Sequence, residues 1–326
     1  MPRMIRCAAA IVGGALLMAC LACGGERPGP AEKTGGEGVR EMKGSIRYPA
    51  VAGQFYPGSP DALKKEVRGF LDAAPRKKIE GRIVGLVSPH AGYTYSGATA
   101  AYGYSLLKGS GITRVVVLAP THRVGFKGAA VTDAGFYRTP LGDVPVDRVA
   151  CDELSKNSGY VILPRAHEGE HSLEVQVPFL QETLGAFTLV PIIVGEVEPG
   201  DYGKLAAPLK KLLDAKTVIV ASSDFTNYGA SFGYLPFTDN VRENLRALDL
   251  GAAALVEKRD AVGFAAYVER TGATICGHSP IGIMLEALPR EARGELLHYT
   301  TSGDLTGDWS HCVSYVSILF TVSGDK

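Results

Sequence analysis

Ile83-Val84-Gly85-Leu86-Val87-Ser88-Pro89-His90 and Val115-Val116-Val117-Leu118-Ala119-Pro120-Thr121-His122, read together, decide the fold of this chain. Each is a short apolar run that ends in a proline and a histidine loop. Runs without polar alternation suit strands buried on both faces, the pattern of parallel sheets in α/β proteins. A third run, 217–221, ends at Ser222-Ser223-Asp224. The histidines and the aspartate then lie just past strand carboxyl ends, where open α/β sheets bind ligands.

Outward from these runs, helical and extended patterns alternate. Ser59-Pro60 reads as an N-cap with proline in the first turn, and Leu63, Val67, Phe70 and Leu71 follow at helical spacing. Helices are predicted over 97–108, 147–156, 170–184 and 202–213, and through most of 240–289. Further strands are predicted around Ala130-Val131 and over 187–194, 296–299 and 312–322, the last two in an antiparallel or mixed arrangement. The expected fold class is α/β: a single domain with a mixed central sheet and helices on both faces. No internal repeat or linker-like break follows residue 45.

The chain has 326 residues, 46% hydrophobic and 21% charged, enough to bury a full core. Lys+Arg and Asp+Glu both number 34, and there is no long basic run, so nucleic acid is not an expected partner. The N-terminus departs from the rest. Arg3 and Arg6 precede an apolar stretch, 8–19, that is too short to span a bilayer at about 20 residues. It ends at Leu17-Met18-Ala19-Cys20. A charged start, a short apolar run and a small residue before a cut site read as a secretory signal. A cysteine straight after that residue resembles the bacterial lipobox. The expectation is a signal peptide over 1–19, lipidation of Cys20, a flexible Gly/Pro/Glu/Lys-rich tether over 20–45 and a folded domain over 46–323. The protein would then be extracytoplasmic and lipid-anchored to a bacterial membrane. An uncleaved apolar helix is the competing reading.

His90, His122 and Cys276, in Thr274-Ile275-Cys276-Gly277-His278, are the candidate metal ligands. Two imidazoles and a thiolate form an N,N,S donor set that suits copper, zinc or ferrous iron and leaves positions open. Cys276 precedes Ser279-Pro280, which reads as a helix start whose dipole would favour the thiolate. A disulfide with Cys312 or Cys151 is the competing reading. His278 reads as a supporting or surface residue. In Glu168-Gly169-Glu170-His171-Ser172-Leu173-Glu174, Ser172 is a candidate helix cap and His171 a candidate base. Asp224 is a candidate for orienting a histidine or binding substrate, with a turn cap as the alternative. No GxSxG, Walker or GxGxxG motif is present.

Further motifs occur in an order that matches one family. They are Tyr48-Pro49-Ala50-Val51-Ala52-Gly53-Gln54-Phe55-Tyr56-Pro57, Pro89-His90-Ala91-Gly92-Tyr93-Thr94-Tyr95-Ser96-Gly97, Pro120-Thr121-His122, Tyr137-Arg138-Thr139-Pro140-Leu141-Gly142, Glu170-His171-Ser172-Leu173-Glu174, Ser222-Ser223-Asp224-Phe225 and Ile275-Cys276-Gly277. Over about 46–322 the chain resembles the Memo-like family, called AmmeMemoRadiSam system protein B in bacteria. The resemblance implies a fold similar to class III extradiol dioxygenases, with cysteine in place of the carboxylate ligand of those iron enzymes. It implies that His90, His122 and Cys276 bind one iron or copper ion. It implies redox chemistry, and pathway partners of the radical-SAM and AMMECR-like kinds. The eukaryotic member binds phosphotyrosine peptides. One departure is evident. The family has a histidine three residues after the Ser-Ser-Asp aspartate, where this chain has Asn227. Asparagine does not titrate near neutrality, which weighs against ring cleavage.

Two functions are therefore in view. One is a metal-dependent redox enzyme acting with O2 on a small aromatic or phenolic compound. The other is a non-catalytic metal- or ligand-binding protein, handling copper or binding a peptide or phenol, at the membrane surface.

Overall fold

The structure is a computed structural model, and it describes residues 44–323. The expected signal peptide, Cys20 and most of the expected tether lie outside them.

The described chain begins with β1 (Ile46–Arg47), α1 (Pro60–Ala73), β2 (Arg82–Ser88), α2 (Tyr93–Tyr104) and β3 (Arg114–Pro120). Ser59 caps α1 by accepting from the Ala62 N–H, as its sequence predicts. Next come β4 (Ala129–Val131), β5 (Phe136–Thr139), β6 (Gly142–Pro145), α3 (Arg148–Ser155) and β7 (Tyr160–Ile162). Three helices follow, α4 (Arg165–Glu168), α5 (His171–Glu174) and α6 (Val177–Leu184), and then β8 (Thr188–Val194), α7 (Tyr202–Lys210), β9 (Thr217–Ser222) and β10 (Asn227–Gly229). The last third holds α8 (Val241–Glu257), α9 (Ala261–Thr271), α10 (His278–Ala287), β11 (Arg293–Thr301), α11 (Ser302–Thr306) and β12 (His311–Val322).

Nine of the described strands form one mixed sheet, in the order β10-β12-β2-β9-β3-β8-β4-β7, with β11 also paired to β12. At its centre β2, β9, β3 and β8 run parallel. Their residues are buried on both faces apart from a few at the strand starts, as the apolar runs require. β12 lies between β11 and β2 and is antiparallel to both, which bears out the antiparallel reading of the chain's end. A small sheet, β1-β5-β6, stands apart.

Helices cover both faces, and two consecutive residues of β2 demonstrate it. A Cβ on Gly85 would meet Leu288 at the end of α10, whereas Leu86 packs against Gly103 of α2. Side chains alternate across a strand, so α2 and α10 lie on opposite faces. No helix among the described residues is long and apolar enough to cross a membrane.

Some boundaries differ from expectation. The helix predicted over 170–184 is two pieces, α5 and α6, with Pro178 in the first turn of the second. Proline lacks an N–H and clashes with the preceding turn, so the helix restarts there. Glu170, not Ser172, caps α5, by accepting from the Ser172 N–H. α10 begins at His278 with no side-chain cap, so Ser279 does not serve as one.

Candidate metal centre

The parallel order brings three strand ends together. In β2 and β9 Ser88 pairs with Ser222, and β3 lies on the far side of β9. His90, Asp224 and His122 therefore leave the sheet from adjacent strands at one edge. Cys276 reaches the same place from the loop between α9 and α10. One nitrogen of His90, one of His122 and the Cys276 sulfur all lie within 4.8 Å of one another. These residues could hold a metal ion, and the donor chemistry of each fits one.

His90 is buried, and its ring is held on both sides. Nδ1 lies 2.9 Å from Ser222 Oγ, and Nε2 lies 3.1 Å from Cys276 Sγ. His122 is exposed, with 30% of its side chain accessible, and its Nδ1 lies 2.9 Å from Oε1 of buried Glu170. Glu170 Oε2 also accepts from the His122 backbone N–H at 2.5 Å. Burial acts to raise the Glu170 carboxyl, but these bonds from His122 and the one from Ser172 outweigh it and hold the group at about 2. A permanent carboxylate thus accepts the Nδ1 proton of His122, and Nε2 is the nitrogen turned away from Glu170. This carboxylate–histidine pairing commonly orients metal ligands.

The candidate catalytic residues sit beside this cluster. The His171 ring lies 4.6 Å from that of His122 and 5.6 Å from that of His90. Burial and the charge of His122 push it down to about 4, so it is neutral at pH 7. Asp224 does not touch an imidazole ring. Its Oδ1 accepts from the backbone N–H groups of His90 at 2.7 Å and Ala91 at 3.3 Å. Burial lifts its carboxyl to about 7 despite these two bonds. Asp224 therefore orients the His90 loop through the backbone.

Cys276 corrects one expectation. Burial and the neighbouring Asp224 charge push its thiol well up, so proximity to α10 does not make it a thiolate. Its carbonyl neighbour, Asp224 O, lies 3.4 Å from Sγ. Cys151, Cys276 and Cys312 are all free thiols, so the disulfide alternatives do not hold among the described residues. His278 stays outside the cluster and bonds its own turn, Nδ1 to Ile275 O at 3.0 Å.

Asn227 serves as a tie. Its N–H donates to Thr274 Oγ1 at 2.9 Å, and Thr274 Oγ1 donates back to Asn227 O at 2.7 Å. Its Nδ2 donates to Thr274 O at 2.9 Å and Phe225 O at 3.1 Å. These bonds join the strand end at 224–227 to the loop that carries Cys276.

The cluster opens into a cavity of about 970 Å³, which Phe55, Tyr95, Arg123, Phe232 and His311 also line. Its size suits a small molecule. The Phe55 wall depends on a pairing that the sequence did not reveal. Buried Glu174 bonds Arg47, the N–H groups of Ala50 and Val51, and the Tyr56 hydroxyl. Arg47 in turn donates to the carbonyls of His167 and Glu170. This buried pair docks the segment 47–57 on the helix that bears His171. A lone arginine and a helix glutamate have no spacing that reveals such a partnership.

An α/β protein whose sheet edge gathers two histidines and a cysteine at the wall of a cavity is a defined class, and comparison with known proteins supplies the family. The profile of the family described as Memo-like protein matches residues 47–319. A MEMO1 family protein of Thermoplasma volcanium is 35% identical over 277 residues, covering 84% of this chain and 98% of its own. One of Methanopyrus kandleri is 37% identical over 290 residues, covering 84% and 98%. The Caenorhabditis elegans protein memo-1 homolog is 35% identical over 294 residues, covering 84% and 82%. The chain belongs to the Memo-like protein family. A crystal structure of an uncharacterized Escherichia coli K12 protein overlaps 64% of this chain and 85% of its own, at a TM-score of 0.37 and 14% identity, too remote to bear on fold or function.

Proposed function

We propose that the protein binds one metal ion through His90, His122 and Cys276 and uses it for redox chemistry on a small aromatic or phenolic compound held in the cavity. The observation that carries this reading is the convergence of three donors from three separate loops within 4.8 Å. Iron and copper suit the N,N,S set together with redox work, and zinc fits the same donors without it. When bound, iron or copper would supply one-electron chemistry and Lewis acidity at its open positions.

The chain's own residues have distinct tasks. Glu170 keeps the His122 ring oriented, and Asp224 holds the His90 loop. His171, neutral at pH 7 and facing the two histidines, is the group placed to take a proton from a ligand hydroxyl. Phe55 and Tyr95 offer flat walls to an aromatic ring.

A second reading is a non-catalytic metal- or ligand-binding protein at the membrane surface. Asn227 favours it, because its amide is spent on Thr274 and Phe225 and cannot shuttle a proton. The test is metal analysis of protein purified from its own host, then anaerobic ferrous reconstitution and a catechol panel with O2. The expected result is tight metal binding without ring cleavage. Robust cleavage by the wild type would overturn that expectation, and its loss in His171→Ala would make His171 the base. Absence of any bound metal would remove the redox reading and the metal-binding form of the second, leaving ligand binding alone. The proposed pathway partners, radical-SAM and AMMECR-like proteins, would be sought by co-purification from the same host.

A further inference from the structure

His90 is held by a chain of buried polar side chains in which every hydrogen can be assigned. Tyr104 OH lies 2.7 Å from Gln176 Oε1, and a carbonyl oxygen only accepts, so tyrosine donates. The Gln176 amide is thereby oriented with Nε2 on its other side. Nε2 donates to Pro89 O at 2.9 Å and to Ser222 Oγ at 2.8 Å. The reverse amide orientation would set two oxygens against each other at Pro89. Ser222 has one proton, and Ser172 O, 2.6 Å away, can only accept it. Toward His90 Nδ1, 2.9 Å away, Ser222 therefore presents a lone pair. Tyr104, Gln176, Ser222 and His90 are all 2% exposed or less, so water does not offer another pairing.

We propose that Ser222 and Gln176 are positioning residues that hold His90 in one tautomer, with the proton on Nδ1 and a bare Nε2 facing Cys276. A metal-bound histidine is more often oriented by a carboxylate, a carbonyl or water. Here a neutral hydroxyl does it, and that hydroxyl is itself set by an amide with no contact to the cluster. His122 and His90 then both turn Nε2 toward the cluster, one ring oriented by the charged Glu170 and the other by a neutral chain. The use of the bare nitrogen rests on the metal reading; the tautomer does not.

The experiment is long-range 1H–15N NMR on the metal-free full chain, labelled with 15N-histidine and recorded near neutral pH. The His90 signals are identified among the seven histidines by their loss in His90→Gln. A neutral ring protonated at Nδ1 alone is expected. Ser222→Ala should move it toward a shared or Nε2-bound proton, Gln176→Leu should do so in part, and Ser222→Thr should keep the wild-type signature. In parallel, zinc affinity read by chelator competition should fall roughly 10–100-fold in Ser222→Ala and stay near wild type in Ser222→Thr. An Nε2-protonated wild type overturns the proposal, as does an unchanged tautomer in both Ser222→Ala and Gln176→Leu. A shifted tautomer with unchanged zinc affinity removes the positioning role. A wild type that binds no zinc refutes the metal reading alone, and the NMR result still decides the tautomer.

Discussion

Cys276 Sγ lies 3.1 Å from His90 Nε2, across 186 positions of sequence. With the His90 proton held on Nδ1, Nε2 can only accept, so the thiol proton turns to it at 3.1 Å in preference to Asp224 O, the other acceptor, at 3.4 Å. The same two lone pairs that share this proton are those that would face a metal ion. Metal binding is then an exchange, one proton leaving as the ion enters.

That exchange sets a pH dependence. Burial holds the Cys276 thiol well above its ordinary value and His90 well below its own, so at neutral pH the thiol is protonated and the imidazole is not. Zinc binding should release about one proton, and affinity should rise about tenfold per pH unit between roughly pH 6 and 8. Calorimetry in buffers of different ionisation enthalpy measures the proton count. A count of zero would show that the thiolate is already present.

Acid stability should follow the buried histidines. His167 is lowered to about 3 and His171 to about 4, chiefly by burial, and His90 is lowered too. In the unfolded chain all three take up protons below about pH 6.5. The native state does not, so their contribution to stability is complete above pH 6.5 and is lost as pH falls toward the folded values. Glu170, lowered to about 2, adds a loss between about pH 4.5 and 2. Asp224, raised to about 7 by burial, takes up a proton in the native state over the same range and offsets one of the three. Urea unfolding of metal-free protein should therefore show stability falling between pH 7 and 5 with a slope that approaches roughly two protons. A flat profile over that range contradicts the neutral buried histidines.

The Arg47–Glu174 pair should be costly to break from one side. Both side chains are nearly inaccessible, at 3% and 0% exposure. Arg47→Met leaves a buried carboxylate unpaired and should destabilise the fold by about 3–5 kcal/mol. Urea melts measure this, and a loss below about 1 kcal/mol would mean that the segment 47–57 is held by other contacts.

The Asn227 tie predicts an effect on the cysteine loop. Asn227→Ala removes two donated bonds and should cost about 1–2 kcal/mol while weakening zinc binding, because Cys276 is no longer held against His90. Asn227→His cannot reproduce both amide donors and should weaken binding as well. Undiminished zinc affinity in both variants would show that the tie does not position Cys276.

The proposed anchor is tested separately. Cells given a palmitate analogue should label the protein, and Cys20→Ala should abolish the label. A second cysteine, Cys23, follows Leu21-Ala22 and is the less well matched alternative. Labelling that persists in the variant would move the site to Cys23 or end the lipoprotein reading.

Much of the fold and of the donor set is legible in the residues alone. The runs ahead of His90, His122 and Asp224 carry their own signature, because a strand buried on both faces cannot alternate polar with apolar residues. Proline signals mark several helix starts, and motif order points to the family and its donors. The small strands β1, β5, β6 and β10 leave no trace, since two to four residues are too few to show a period.

Sequence by itself determined the element types, the class of sheet and the residues able to bind metal, because periodicity and residue chemistry are local properties. Only the tertiary structure decided their partners. The strand order β2-β9-β3 puts Ser222 beside His90 and brings His122 within reach of both. It pairs Glu170 with His122, assigns Asn227 to Thr274, and raises the Cys276 thiol that a helix start alone would have lowered. Each depends on which distant segments the crossovers bring together and on how much water they exclude, and neither is written in the spacing of neighbouring residues.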